Sequence, residues 1–269
     1  MTAVSDLVSA PPIRPRAAGF VTDCRSIALR ALRAIPREPE AVVPALIIPV
    51  FFFAINIGSL ERVAEQGLVS DFRAFQLPVA IIFAVTGISR AGALVTDIQN
   101  GYFDRLLMTP IRRLSLLLGL MIADFALVVA LSVPVIVLGF AVGVRFETGL
   151  AGALMFLLMA GLWGLAFTGF PYAIALKTGN PAAVNTSFIL FFPFAFLTTS
   201  FLPREALTGW LSAMAGWNPV TYLLAGMRSL VLAGWDGAEL VKGFGAIAGV
   251  GLVSMTLAFA ALRGRLKAG

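Results

Sequence analysis

Long apolar stretches alternate with short polar links along almost the whole chain. Six such stretches, near 41–60, 75–95, 114–144, 150–176, 183–202 and 238–262, each hold about the 20 residues that a helix needs to cross a bilayer. The third and fourth are longer, so they either tilt or project beyond the hydrocarbon. Membrane strands would show short segments of strict alternation, and the sequence has none. The predicted fold is all-α, a polytopic membrane protein with six transmembrane helices.

The residues before the first stretch divide in two. Residues 1–18, with Pro11, Pro12 and Pro15, have the composition of a disordered lead. Residues 19–38 are predicted to hold an amphipathic helix. At 100° per residue Phe20, Cys24, Ile27, Ala28, Ala31 and Ile35 share one face, and Ser26, Arg30, Arg33 and Arg37 share the other. An apolar stripe opposite a basic face is the pattern of a helix lying in a membrane interface. The six-span domain is then expected to fill 39–269.

Lys and Arg positions give the expected orientation. The N-terminal segment carries Arg14, Arg16, Arg25, Arg30, Arg33 and Arg37. The link after the second stretch carries Arg105, Arg112 and Arg113, the link after the fourth carries Lys177, and the C-terminus carries Arg263, Arg265 and Lys267. Basic residues predicted on the other side, such as Arg62, Arg73 and Arg145, mostly sit beside acidic ones. Both termini are expected in the cytoplasm, with the chain a multi-pass protein of the plasma membrane. The first apolar run begins after a long charged segment, which is not the pattern of a cleavable signal peptide.

Composition agrees with the pattern and narrows the chemistry. The 269 residues are 59% hydrophobic and 13% charged, against about 45–50% and about 25% in a soluble domain. There is no histidine, and Cys24 is the one cysteine. That excludes an internal disulfide and histidine acid–base or metal chemistry, and a thiolate zinc site needs several cysteines. The net charge of +6 lies between apolar runs, where orientation accounts for it, rather than on a folded basic face. No nucleic-acid partner is expected. No catalytic, metal or cofactor-binding residue is predicted.

No phosphate loop of the Gly-x4-Gly-Lys-Ser/Thr type occurs, so any ATP-driven motion must enter through another polypeptide. The pairs Gly139/Gly143 and Gly245/Gly249 have the four-residue spacing of close helix packing, with a helix of the same chain or of a second copy. Two ionisable residues lie inside apolar stretches. Arg90 is late in the second, and Asp124 sits about 15 Å beyond Leu114 in the third at 1.5 Å per residue. Charges at such depth are costly. They either pair with each other, line a polar path, or, for Arg90, snorkel to the interface.

The segment 97–110, Asp-Ile-Gln-Asn-Gly-Tyr-Phe-Asp-Arg-Leu-Leu-Met-Thr-Pro, is the longest polar link between stretches on the predicted cytoplasmic side. Leu106, Leu107 and Met108 give it an apolar edge suited to a partner's groove. Asp104 and Arg105 are adjacent, so they cannot pair along a helix. With Asp97, Gly101, Asp104, Arg105, Pro110 and Arg112 as they stand, the link resembles the cytoplasmic loop of type-2 ABC exporter permeases, above all the daunorubicin-resistance subgroup. A second match runs through Thr199-Ser-Phe-Leu-Pro203, Gly209-Trp210-Leu211, Trp217-Asn218-Pro219-Val-Thr221 and Arg228, the stretch before the last span in that family. Pro203 and Pro219 with Trp210 and Trp217 suit an external re-entrant hairpin, since broken backbone at membrane depth needs protein or a water-filled cavity around it.

The resemblance covers nearly the whole chain. It implies that Gly101, Asp104, Arg105, Leu107 and Pro110 belong to a coupling helix that contacts a separate ATPase subunit, which holds the Mg-ATP. It also implies a second permease, identical or related, and an amphiphilic drug- or lipid-like cargo moved outward. Alternatives are export of a lipid-linked polysaccharide, a membrane-embedded lipid-modifying enzyme, and a self-sufficient channel or secondary transporter. The loop lacks the acidic pair found in other branches, which speaks against polysaccharide export. The missing histidines and the lack of clustered carboxylates within the spans speak against an enzyme.

Overall fold

The computed structural model describes residues 19–268 apart from positions 38, 87 and 110. The predicted lead at 1–18 and Pro110 lie outside the described residues. Those residues are mostly helical, with no strand among them.

Helix α1, Phe20–Ala34, continues into a 3-10 turn at Ile35–Arg37. Its buried positions are Asp23, Cys24, Ile27, Ala28 and Ala31, the apolar face read from the sequence with one acid added. Five long helices follow: α2 (Pro39–Ala64), a helix broken into α3 (Phe72–Thr86) and α4 (Ala91–Gln99), α6 (Arg113–Ala141), α7 (Gly149–Thr178) and α12 (Gly237–Ala268). All five are long and apolar enough to cross a membrane. Short α5, Tyr102–Leu107, links α4 to α6.

The fifth apolar stretch of the sequence behaves differently. It forms α8 (Pro181–Thr186), a 3-10 turn (Ser187–Leu190) and α9 (Phe191–Phe196), a run too short to stand with the other five. Local chemistry accounts for the break. The Ser187 hydroxyl donates to the Val184 carbonyl and the Thr186 hydroxyl to Ala182, bonds that compete with the regular ladder. Pro193 removes one donor more. Beyond a 3-10 turn at Arg204–Ala206 come α10 (Gly209–Trp217) and α11 (Pro219–Arg228), then a π turn at Ser229–Ala233.

The central pair is α7 with α12. A Cβ at Gly169 would fall 2.5 Å from the Ser254 carbonyl carbon, so only glycine permits this approach. The Ser254 hydroxyl donates to the Ala166 carbonyl across the same contact. Of the glycine pairs noted in the sequence, Gly139 packs within the chain, where a Cβ would meet Leu77 of α3 at 2.9 Å. Gly245 and Gly249 have open space around them instead, so neighbours in the same chain do not use that pair. One core fills the bundle around Leu77, Phe156, Trp163 and Leu224; a second joins α1, α4, α5, α6 and the end of α7.

One end of the bundle collects α1, α5, the α7 C-terminus and the last turns of α12. Gln99 donates to the Gly179 carbonyl at 3.0 Å, and Arg265 to Leu176 at 3.2 Å. The other end collects the α2–α3 and α6–α7 turns and the start of α12. There Arg73 donates to the Val142 carbonyl at 2.9 Å, and the Glu147 amide to Val231 at 3.1 Å.

Candidate functional site

Three polar constellations interrupt the apolar bundle. The first is α5 and its seat. Gly101, at φ 67, takes the left-handed turn that starts the helix, a conformation costly for residues with a Cβ. Phe103 is buried beneath α5, and Leu106 packs on the same core. The Arg265 guanidinium lies 5.9 Å from the Phe103 ring centre, and Arg30 lies 4.6 Å from that of Tyr102. Arg30 also grips the Asp97 carboxylate with both terminal nitrogens, one at 3.4 Å, and that bond raises its already high pKa. The helix is thus held from below, while Asp104 and Arg105 are exposed and Met108 is 81% exposed. Leu107 closes α5. The apolar edge expected from Leu106 to Met108 is therefore divided, with Leu106 toward the core and Met108 outward.

The second constellation lies at the break between α3 and α4. Thr86 closes α3, donating to the Ile82 carbonyl at 2.6 Å and accepting from the Trp163 indole at 3.1 Å. Beyond the break the Arg90 backbone amide donates to Asp124 Oδ1 at 2.8 Å, and the Tyr172 hydroxyl to Oδ2 at 2.7 Å. Ser89 lies beside the same carboxylate, and the Arg90 charge acts on it. Asp124 is fully buried and Arg90 nearly so. Residues from α4, α6 and α7 converge here, so the two ionisable positions singled out by the sequence are neighbours.

The third constellation surrounds Arg228 in the last turn of α11. Its guanidinium donates to the Phe75 carbonyl at 3.1 Å, the Thr199 hydroxyl at 3.0 Å and the Thr199 carbonyl at 2.7 Å. It also stacks over the Phe75 ring at 3.4 Å. Asn218 alone joins α10 to α11. Its Oδ1 accepts from the Val220 amide at 2.9 Å, and its Nδ2 donates to the carbonyls of Phe194 and Leu197. Pro219 occupies the first turn of α11, where a missing amide costs nothing. Gln76 and the Thr198–Thr221 pair complete the belt around 197–200. Trp210 and Trp217 remain 67% and 89% exposed, and Pro203 precedes the turn that leads to α10.

Against known families, residues 22–232 match the description "ABC-2 type transporter". The chain belongs to the ABC-2 type transporter family. Two similar proteins are the daunorubicin resistance ABC transporter permease protein DrrB1 of Streptomyces coeruleorubidus and the probable doxorubicin resistance ABC transporter permease protein DrrC of Mycobacterium tuberculosis. The first is 26% identical over 229 residues, covering 83% of this chain and 81% of the relative. The second is 25% identical over 211 residues, covering 76% and 75%.

As an ABC-2 permease the chain is the membrane subunit of an ABC transporter complex, and the ATPase is a separate subunit. Sequence reasoning about this permease missed Tyr172, Ser89 and the Arg30–Asp97 contact, and named Thr199 without its bond to Arg228. Tyr172 lay in an apolar run without a charge to mark it. Arg30 and Asp97 are 67 positions apart, and no local pattern links them.

Proposed function

We propose that this permease moves hydrophobic or amphiphilic, drug-like compounds outward across the plasma membrane, as one of two permeases joined to two ATPase subunits that bind Mg-ATP. The observation that carries this reading is α5. The helix is anchored to α1 and α12 by aromatic and cationic contacts, yet it leaves Asp104, Arg105 and Met108 open at the end of the bundle. A rigidly seated helix with a free polar face is suited to receive force from a partner protein. The daunorubicin and doxorubicin resistance for which the two relatives are named supports the choice of drug-like compounds.

The same reading sets the topology. The α5 end carries the basic residues, Arg105, Lys177, Arg263 and Arg265 among them, and so faces the cytoplasm with both termini. Helix α1 lies at that interface. The run Pro181–Phe196 with the segment after it makes the sixth crossing. The α10–α11 pair is a re-entrant hairpin. Pro219 lines a cleft with Phe194 and Gly249, and Gly249 is about 18 Å along α12 from Gly237 at 1.5 Å per residue. From that depth α11 climbs antiparallel to α12, with Gly226 against the Glu239 carbonyl. The domain boundaries are 19–38 for the interfacial helix and 39–269 for the six-span domain. The Asp124 cluster, in this reading, locks α4, α6 and α7 together.

Co-expression of the permease with its ATPase tests the proposal. Arg105→Glu is expected to leave the permease inserted while the ATPase copurifies less and daunorubicin-stimulated hydrolysis falls. Unchanged recovery and stimulation in both Arg105→Glu and Leu107→Asp would place the contact elsewhere.

A further inference from the structure

A lateral groove of about 770 Å³ opens between α1 and the faces of α6, α7 and α12. Its walls include Ala28 and Leu29 of α1, Ile122 and Phe125 of α6, and Phe259 of α12, with Arg25 as its one basic wall residue. Measured along α6 from Arg113, Phe125 lies about 18 Å deep at 1.5 Å per residue. One leaflet of a bilayer core is about 15 Å, so the groove spans a single leaflet.

The charge at its mouth is one-sided. Beside the groove lies a second depression lined by Ser26, Arg30, Arg33 and Arg37. Arg30 is committed to Asp97, whereas among the described residues no carboxylate forms a salt bridge with Arg25, Arg33 or Arg37. All three are exposed. An apolar slot one leaflet deep, topped by uncommitted guanidinium groups, matches the shape and charge of a phospholipid: chain below, phosphate above. Guanidinium pairs with phosphate oxygens in a fork, and only in a lipid of net negative charge does no headgroup cation compete for that phosphate.

We infer that the α1 groove is a site for one anionic glycerophospholipid, its acyl chain along Ile122 and Phe125 and its phosphate on Arg25 with Arg33 beside it. The inference needs only that the chain spans a membrane, so it stands or falls separately from the ATPase contact at α5.

Native mass spectrometry of the full-length permease, released from nanodiscs holding equal parts phosphatidylglycerol and phosphatidylcholine, provides the test. One retained phosphatidylglycerol is expected, preferred over phosphatidylcholine by about fivefold per engaged arginine, as for basic residues at a lipid surface. Arg25→Gln with Arg33→Gln should level that preference, and Arg25→Lys should keep most of it. Both arginines are exposed, so these changes do not threaten folding. Ile122→Trp, which fills the slot, should lower retention of both lipids. Equal retention of the two lipids, or a preference unaltered by the double glutamine variant, would overturn the site. Displacement of the lipid by added daunorubicin would also overturn it, by showing that the groove takes cargo.

Discussion

Asp124 and Arg228 are both charges buried in an apolar bundle, but opposite ends of broken helices receive them. The Asp124 carboxylate sits where α4 begins and takes a free backbone amide, with hydroxyls from Ser89 and Tyr172 completing the shell. Arg228 takes the Thr199 carbonyl of the irregular segment that follows α9, and with it the Phe75 carbonyl in the first turn of α3. The start of a helix exposes amides and its end exposes carbonyls. A membrane protein that interrupts its helices thereby makes polar sites of predictable sign. The carboxylate went to a helix start, and the guanidinium went in part to the chain that leaves a helix end.

The contrast sets the order of mutational costs. Asp124→Ala is expected to cost most, about 3–5 kcal/mol, because it strands a backbone amide, a tyrosine hydroxyl and the positive charge of Arg90 away from water. Thermal unfolding of the purified permease reads this loss, and Asp124→Asn, which keeps one acceptor, should recover part of it. Stability equal to the parent in Asp124→Ala would show that water reaches the cluster.

Arg228→Met should cost less, about 1–2 kcal/mol, because the charge leaves together with its desolvation penalty and only two carbonyls and a hydroxyl lose a donor. The sharper readout is local. A cysteine at Ser200 should react faster with thiol reagents when Arg228 is Met, since the tether on Thr199 is gone. A labelling rate that does not move would mean that Asn218 and Gln76 suffice to hold the segment. Thr199→Val sits at the bottom of the scale, about 0.5–1 kcal/mol, because the Thr199 carbonyl still accepts from the guanidinium. A loss as large as that of Arg228→Met would assign the grip to the hydroxyl instead.

The sequence disclosed these sites unevenly, for physical reasons. Hydrophobic runs report bilayer length directly, so the five long helices were legible, and so was the buried face of α1 at Cys24, Ile27, Ala28 and Ala31. Arg90 and Asp124 stood out because a charge in an apolar run is conspicuous. Their setting was not legible, since the break near Ser89 depends on partners from α6 and α7 rather than on local propensity. The stretch 183–202 read as one continuous helix because its Thr and Ser residues count little against so many phenylalanines. In the fold those hydroxyls bond backward and end the helix. Asp104 and Arg105 are exposed, and only family resemblance pointed from them to a partner outside the chain.

The contact of Gly169 with Ser254 has a mechanical side. Two helices that touch backbone to backbone, pinned by a hydroxyl on the Ala166 carbonyl, cannot slide past each other without losing that seat. They behave as one stiff beam through the membrane. At the opposite extreme, α2 has only 11% of its apolar window buried within the chain. If α5 receives a partner's force, as proposed, Arg265 over Phe103 is one link from it to the beam, and the thinly covered α2 lies outside that stiff unit.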